Sequence, residues 1–344
     1  MSSISNLYIL NRLIPLCFLI CYLASCSQDA RQHVNTYQVS FDQINELPLA
    51  TPINNLIIEP ADSDILCYVV NGVICKISTK KRDRQMSIEL FDTVKSKHIS
   101  YNFHDDYLIH PIATRSWNKI VIHDGLIGKT IVVDVENAFK QDSYSPLKKF
   151  SNIQSERLIY MGDKMLFLNK DSFENGTPRV CFSDDNWNYS QKNRYRYESG
   201  NVVHGEIICK EDLSMIVYIP GHDNQIEIMD GNGDLLTKVV FPHNKKQEIT
   251  TFESNNKLHY VFSFPPVYCF SSACAGKSGF IAGFIDDNDN HLVLMMDWAG
   301  KFLGGFRVDG EIQKLSFSSD ERMIYSWTKK NEECYLEEYI NPCL

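Results

Sequence analysis

Ile228-Met229-Asp230-Gly231-Asn232-Gly233-Asp234-Leu235-Leu236 lines up with Met295-Met296-Asp297-Trp298-Ala299-Gly300-Lys301-Phe302-Leu303. Each stretch is an apolar strand ending in Asp, a turn closed by Gly, and a second strand. The same strand end recurs at Thr130 to Asp134, Val180 to Asp184 and Val73 to Ser78, so that Ser78, Asp134, Asp184, Asp230 and Asp297 stand 56, 50, 46 and 67 residues apart. A sixth strand of this kind runs from Tyr335 to Tyr339. Most copies are preceded by another short strand: Ile65 to Val69, Lys119 to His123, Met165 to Asn169, Met215 to Ile219, Phe280 to Ile285 and Met323 to Trp327. Hairpins recurring about every 50 residues, with almost no long 3.6-residue period between them, predict an all-β fold and a six-bladed β-propeller.

The ends of the chain fit a closed ring. The last repeat stops after its third strand, at Tyr339, while Thr36 to Phe41 is a β-pattern segment with no repeat of its own. The N-terminal strand is therefore expected to complete the last blade, which removes open sheet edges. The interval between Asp230 and Asp297 is the longest, and its excess is assigned to Pro265 to Lys277 as a candidate functional loop.

The first 25 residues stand apart. Leu13 to Leu23 is an apolar run behind a polar segment that carries Arg12 and no acidic residue. That is the pattern of an export signal, and the run is shorter than the roughly 20 residues a spanning helix needs. Leu23-Ala24-Ser25-Cys26 matches the bacterial lipobox. The expected organisation is a signal peptide over 1–25, a tether over 26–35 and a propeller over 36–344.

Taken together, Cys26, the weak repeats and the segment MMDWAGKFLGGFRVDGEIQKLSFSSDERMIYSW resemble the TolB-like six-bladed propeller lipoproteins of Bacteroidetes. The resemblance implies cleavage before Cys26 and diacylation of its thiol, so that acyl chains hold the domain at a membrane. Ser27, where inner-membrane lipoproteins carry Asp, implies an outer-membrane address. With no acidic export cluster after Cys26, the domain is expected to face the periplasm.

Composition narrows the partners. With 34 Lys and Arg against 43 Asp and Glu the net charge is -9, and no basic stripe is present, which disfavours nucleic acid. Of eleven cysteines, eight remain after the signal and Cys26. If Asn71-Gly72 is a two-residue turn, Cys67 and Cys75 point to opposite faces and are not expected to bridge; Cys269 and Cys274 are the best bridge candidates.

No constellation rises to a catalytic or metal site. Asp286-Asp287-Asn288-Asp289-Asn290 imitates the opening of a calcium loop, but His291 stands where that loop needs Gly, and a polar turn is the better reading. Asp230 to Asp234 reads the same way. His98, His104 and His110 would share one face only in an uninterrupted strand, which Asp105, Asp106 and Pro111 argue against. Trp117, Trp187, Trp298 and Trp327 are candidates for sugar stacking or for packing between blades. No cofactor is expected. The expected function is a non-enzymatic binding or scaffolding module at the cell envelope, with a protein, peptide or glycan partner. The alternative is a propeller hydrolase or lactonase with calcium at the central channel.

Overall fold

The computed structural model describes residues 34–58, 66–70, 72–80, 85–103, 108, 111–140, 148–150, 155–161, 164–169, 180–184, 189–190, 205–254 and 257–344. Cys26 with its lipobox, His104, His110 and Trp187 lie outside them.

Among the described residues the chain forms five four-stranded sheets, one five-stranded sheet and a two-stranded ribbon. The first sheet holds β3 (Leu66–Val70), β4 (Val73–Lys80), β5 (Gln85–Asp92) and β6 (Lys97–Phe103). The second holds β7 (Ile112–Ser116), β8 (Lys119–Asp124), β9 (Lys129–Asp134) and β10 (Lys148–Phe150), with a short helix α2 (Val135–Lys140) after β9. The third holds β11 (Ser155–Met161), β12 (Lys164–Asn169), β13 (Val180–Asp184) and β14 (Tyr189–Ser190). The fourth holds β15 (Gly205–Cys209), β16 (Met215–Pro220), β17 (Gln225–Asp230) and β18 (Leu235–Val240), to which β1 (Asn35–Gln38) adds in parallel. The ribbon is β19 (Ile249–Ser254) and β20 (Lys257–Phe262). The fifth sheet holds β21 (Phe270–Ala275), β22 (Gly279–Ile285), β23 (His291–Asp297) and β24 (Phe302–Val308). The last holds β25 (Glu311–Phe317), β26 (Met323–Lys330) and β27 (Glu333–Ile340), closed by β2 (Asn54–Ile58).

Within each sheet the order follows the chain, and the first strands β3, β7, β11, β15, β21 and β25 pack against one another in turn, β25 returning to β3. Sheets arranged radially around a channel lined by their first strands make a β-propeller. The cores lie between neighbouring sheets. One cluster joins the fourth and fifth sheets through Ile228, Val239, Phe241, Phe284 and Met296, and another joins the first and second through Ile77, Ile88, Ile120 and Ile131. Middle strands are buried on both faces, so β16 (MIVYIP) and β23 (HLVLMMD) read as continuous apolar runs rather than alternating ones.

The ring does close through an N-terminal strand, but that strand is β2 and not Thr36 to Phe41. β2 pairs antiparallel with β27, Leu56 opposite Leu336. Connectivity is the reason: in a propeller the outermost strand of one sheet leads directly into the innermost strand of the next, and β2 directly precedes β3. Thr36 to Gln38 instead pair with β18, after which Ser40 caps the helix α1 (Phe41–Asn45) in a reciprocal arrangement with Gln43. Pro48 and Ala50 then exchange backbone hydrogen bonds with Arg307 at the edge of the fifth sheet, 2.7 and 3.0 Å long. Residues 35–58 thus strap the outer edges of three consecutive sheets.

The first repeat is also displaced. Ser78 lies inside β4, the second strand of its sheet; the counterpart of Asp134, Asp230 and Asp297 is Asp92, at the end of β5. The excess before the fifth sheet falls earlier than expected, because Phe270–Ala275 of the assigned loop is the inner strand β21, while the ribbon β19–β20 supplies the additional length.

Candidate functional site

Polar side chains from the inner strands meet across the channel. Glu206 of β15 accepts from Lys314 Nζ of β25 at 3.1 Å and pairs with Arg157 Nε of β11 at 3.3 Å. Lys314 Nζ also lies 5.8 Å from the centre of the Tyr68 ring of β3, and Tyr68 Oη donates to Ala113 O of β7. Burial opposes ionisation of Glu206, but Lys314 and Arg157 outweigh it and hold the carboxyl below its usual range. Burial likewise opposes the charge on Lys314, and Glu206 reverses that, raising its pKa. Burial pushes the Tyr68 phenol up to about 12, with Lys314 opposing. The cluster pairs one carboxylate with two cations, so a divalent cation placed there would meet uncompensated positive charge. Among the described residues no group of three or more His, Cys, Asp or Glu is placed to hold a metal ion.

Further along the channel, Arg115 of β7 reaches across to two other sheets. Its Nη1 donates to Ser316 Oγ at 2.9 Å, Phe317 O at 3.2 Å and Cys274 Sγ at 3.4 Å, and its Nε to Trp117 O at 3.1 Å. Beyond Arg115 the channel opens between the turns that join first to second strands. There Trp117 sits in the left-handed region at φ 54° with its Nε1 donating to Cys209 O at 3.3 Å. Leu213 and Glu321 occupy the same region in two other turns of this mouth, at φ 57° and 60°. Non-glycine residues held there store roughly 1 to 3 kcal/mol each, a cost that surrounding contacts must offset. The contacts are visible at Glu321, whose carboxylate accepts from the backbone of Lys277 and from Ser278 Oγ at 2.7 Å. Two adjoining cavities of about 320 and 340 Å³ open here and share Trp117, Glu211 and Lys277.

A second surface lies on the ribbon and the segment that follows it. Phe264 is 93% exposed, and Phe252, Val261 and Tyr268 are each exposed by 44% or more. The ribbon is fastened at its base: His222 stacks between Phe262 and Tyr268 at 4.4 and 4.6 Å, and Gln247 accepts from Val267 N at 2.6 Å. The two surfaces lie on opposite faces. β1 runs parallel to β18 with Asn35 opposite Thr237 and Gln38 opposite Val240, so the chain enters beside the β17–β18 turn, while the ribbon follows the other end of β18. Strand alternation puts the mouth with Trp117 on the same face as the β17–β18 turn.

The other motifs resolve into structure. Asp230 and Asp297 each end a strand, Asp286 directly follows one, and all three accept two backbone N–H groups of the same turn: Asn232 and Asp234, Asn288 and Asn290, Ala299 and Lys301. The calcium-like stretch is thus a polar turn with the same hydrogen-bond pattern, placed between the second and third strands of its sheet rather than the third and fourth. Tyr68 stands opposite Cys75 and Cys67 opposite Lys76, as the Asn71-Gly72 turn predicts. Cys269 and Cys274 are free and buried, against the expected bridge. They flank most of strand β21, where five residues span about 16 Å, well beyond disulfide reach. His98 is exposed on β6, which ends at Phe103. Trp298 packs on Phe280 and Trp327 is buried between the first and last sheets, so Trp117 alone of these three lines the mouth.

Sequence reasoning missed Arg115, Arg157, Glu206 and Lys314. The available signal was a charged residue inside a short apolar strand, as in GEIIC and EIQKLSF.

No family model matches the chain, and no curated protein matches it. Among solved structures it is similar to one titled "Crystal structure of RRP9 WD40 repeats", with 10% identity and a TM-score of 0.45 over 85% of this chain and 99% of that one. It is similar to the "Structure of U3-55K" at 11% identity and a TM-score of 0.43, over 84% and 99% of the two chains.

Proposed function

We propose that this protein is a lipid-tethered, six-bladed propeller of the bacterial envelope, attached through Cys26, that binds a protein partner through the exposed ribbon. Taking the five-stranded sheet as a blade with β1 added to its rim supports the six-bladed count. The observation that carries the binding role is the exposure of Phe252 and Val261 on one face of the ribbon, with Phe264 and Tyr268 exposed in the segment that follows it, apolar surface of the kind that marks protein contacts. The two cations around Glu206 disfavour the calcium-dependent hydrolase.

Two measurements test this reading. Intact mass and membrane fractionation of the native chain and Cys26→Ala should show loss of two or three acyl chains and release from the membrane. A photocrosslinking residue at Phe264 should give a discrete adduct in cells, and the same residue at Leu126, exposed elsewhere, should not. An unchanged Cys26→Ala sinks the tether, and equal labelling at both positions sinks the ribbon as the binding surface.

A further inference from the structure

We infer that the channel mouth around Trp117 is a binding site for a neutral saccharide, independent of both the tether and the ribbon. The adjoining cavities of about 320 and 340 Å³ are of small-molecule size. Their shared wall contains an indole that is fixed in place. Trp117 Nε1 is tied to Cys209 O, its carbonyl accepts from Arg115, and its backbone is held at positive φ. Trp298 and Trp327, the other described tryptophans, are both buried, whereas Trp117 is half-buried with cavity beside it. A rigid aromatic surface with polar groups around it suits a sugar ring, whose C–H face stacks while its hydroxyls hydrogen-bond sideways.

The charge of the wall selects against ionic ligands. Both signs line it, and most are already engaged within the protein. Arg115 donates to Ser316 and Phe317, Lys277 Nζ to Ser319 O at 3.2 Å, Glu136 pairs with Lys140, and Glu321 holds the Lys277-Ser278 turn. An anion entering would meet Glu136, Glu211 and Asp212, and a cation would meet Lys210, Lys277 and Arg115. A polyol can donate to Glu211 and accept from Asn118 without carrying a charge of its own.

The test is calorimetric titration of the full chain with cellobiose and maltose, using glucuronate and glucosamine as charged analogues of the same ring. Millimolar binding of at least one neutral disaccharide is expected, weaker or absent for both charged rings. Trp117→Gly removes the platform at a position whose φ suits glycine and should weaken binding by about tenfold or more, whereas Trp117→Tyr should retain most of it. Should Trp117→Gly fail to fold, Glu211→Ala and Asn118→Ala at the rim carry the same test, each with a severalfold loss expected. No saccharide binding by the folded native chain overturns the inference, as does binding indifferent to these substitutions, or charged rings bound as tightly as neutral ones. None of these outcomes depends on Cys26 or Phe264, so failure here is separable from failure of the proposed function.

Discussion

Glu206 and Lys314 meet at 3.1 Å across the channel, although 108 residues separate them and their sheets are not neighbours in the ring. With Arg157 they join three inner strands through one carboxylate, so closure rests on ionic contacts along the axis as well as on apolar packing between sheets. Both side chains are nearly buried, at 11% and 15% exposure, where removing one partner leaves the other desolvated and uncompensated.

Glu206→Gln should therefore destabilise the fold by about 3 to 5 kcal/mol, read as a lower denaturant midpoint. The pH dependence has a defined sign. Glu206 titrates below its ordinary 4.5 in the folded chain, so its contribution is complete above that value and lost as pH falls through the folded pKa. Lys314 titrates above its ordinary 10.5, so its contribution is complete below that value and lost as pH rises through the folded pKa. Urea melts of the native chain should show acid weakening below about pH 4.5 that is reduced in Glu206→Gln.

A second prediction separates the two N-terminal strands. β2 completes the ring, whereas β1 adds an outer strand to a sheet that already has four. Proline at Leu56 or Ile57, whichever N–H belongs to the β27 ladder, should cost about 3 kcal/mol and promote aggregation by opening the last sheet. Proline at Tyr37 should cost less than half as much. Equal losses in thermal unfolding would mean that the strap acts as one unit.

What could be read directly from residues was local. The repeat turn is written in Asp, Asn and Gly because its hydrogen bonds close within five residues, and that chemistry recurs at Asp230, Asp286 and Asp297. Pairing across Asn71-Gly72 was legible for the same reason. The closing strand was not: TYQVSF carries the β-pattern that drew the expectation, and NNLII is set apart as the closing strand by directly preceding β3. The channel cluster was hidden further, since Tyr68, Arg157, Glu206 and Lys314 belong to four sheets and share no spacing. The mouth was visible only as a tryptophan among others, because the property that distinguishes Trp117 is a backbone angle.

Gly300 offers a test of how tightly neighbouring sheets meet. It closes the β23–β24 turn at φ 88°, and a methyl group there would approach Val239, Ile228 and Thr237 of the adjacent sheet at 2.9 to 3.1 Å. Gly300→Ala combines left-handed strain with this overlap and should cost about 2 to 4 kcal/mol in chemical denaturation. Gly233, the aligned position in the preceding repeat, has a similar φ of 82°. Its replacement by Ala meets the same left-handed backbone strain, which should cost about 1 to 2 kcal/mol.

The ribbon should loosen in mild acid. Burial holds the His222 imidazole below its ordinary pKa of 6.5, with the hydrogen bond that Nδ1 donates to Val267 O opposing that shift. The unfolded segment therefore binds a proton more readily than the packed one, and the stabilisation from neutral His222 is complete above pH 6.5 and declines below it. Because the ring is stacked between Phe262 and Tyr268, the loss falls on the base of β19–β20 rather than on the propeller core. Hydrogen exchange, corrected for intrinsic rates, should become severalfold faster over residues 249–262 between pH 7.5 and 5.5, with β16 and β23 unchanged. His222→Phe preserves an aromatic ring and removes the proton, so it should flatten that pH response; a response that persists in this variant would assign it to another group.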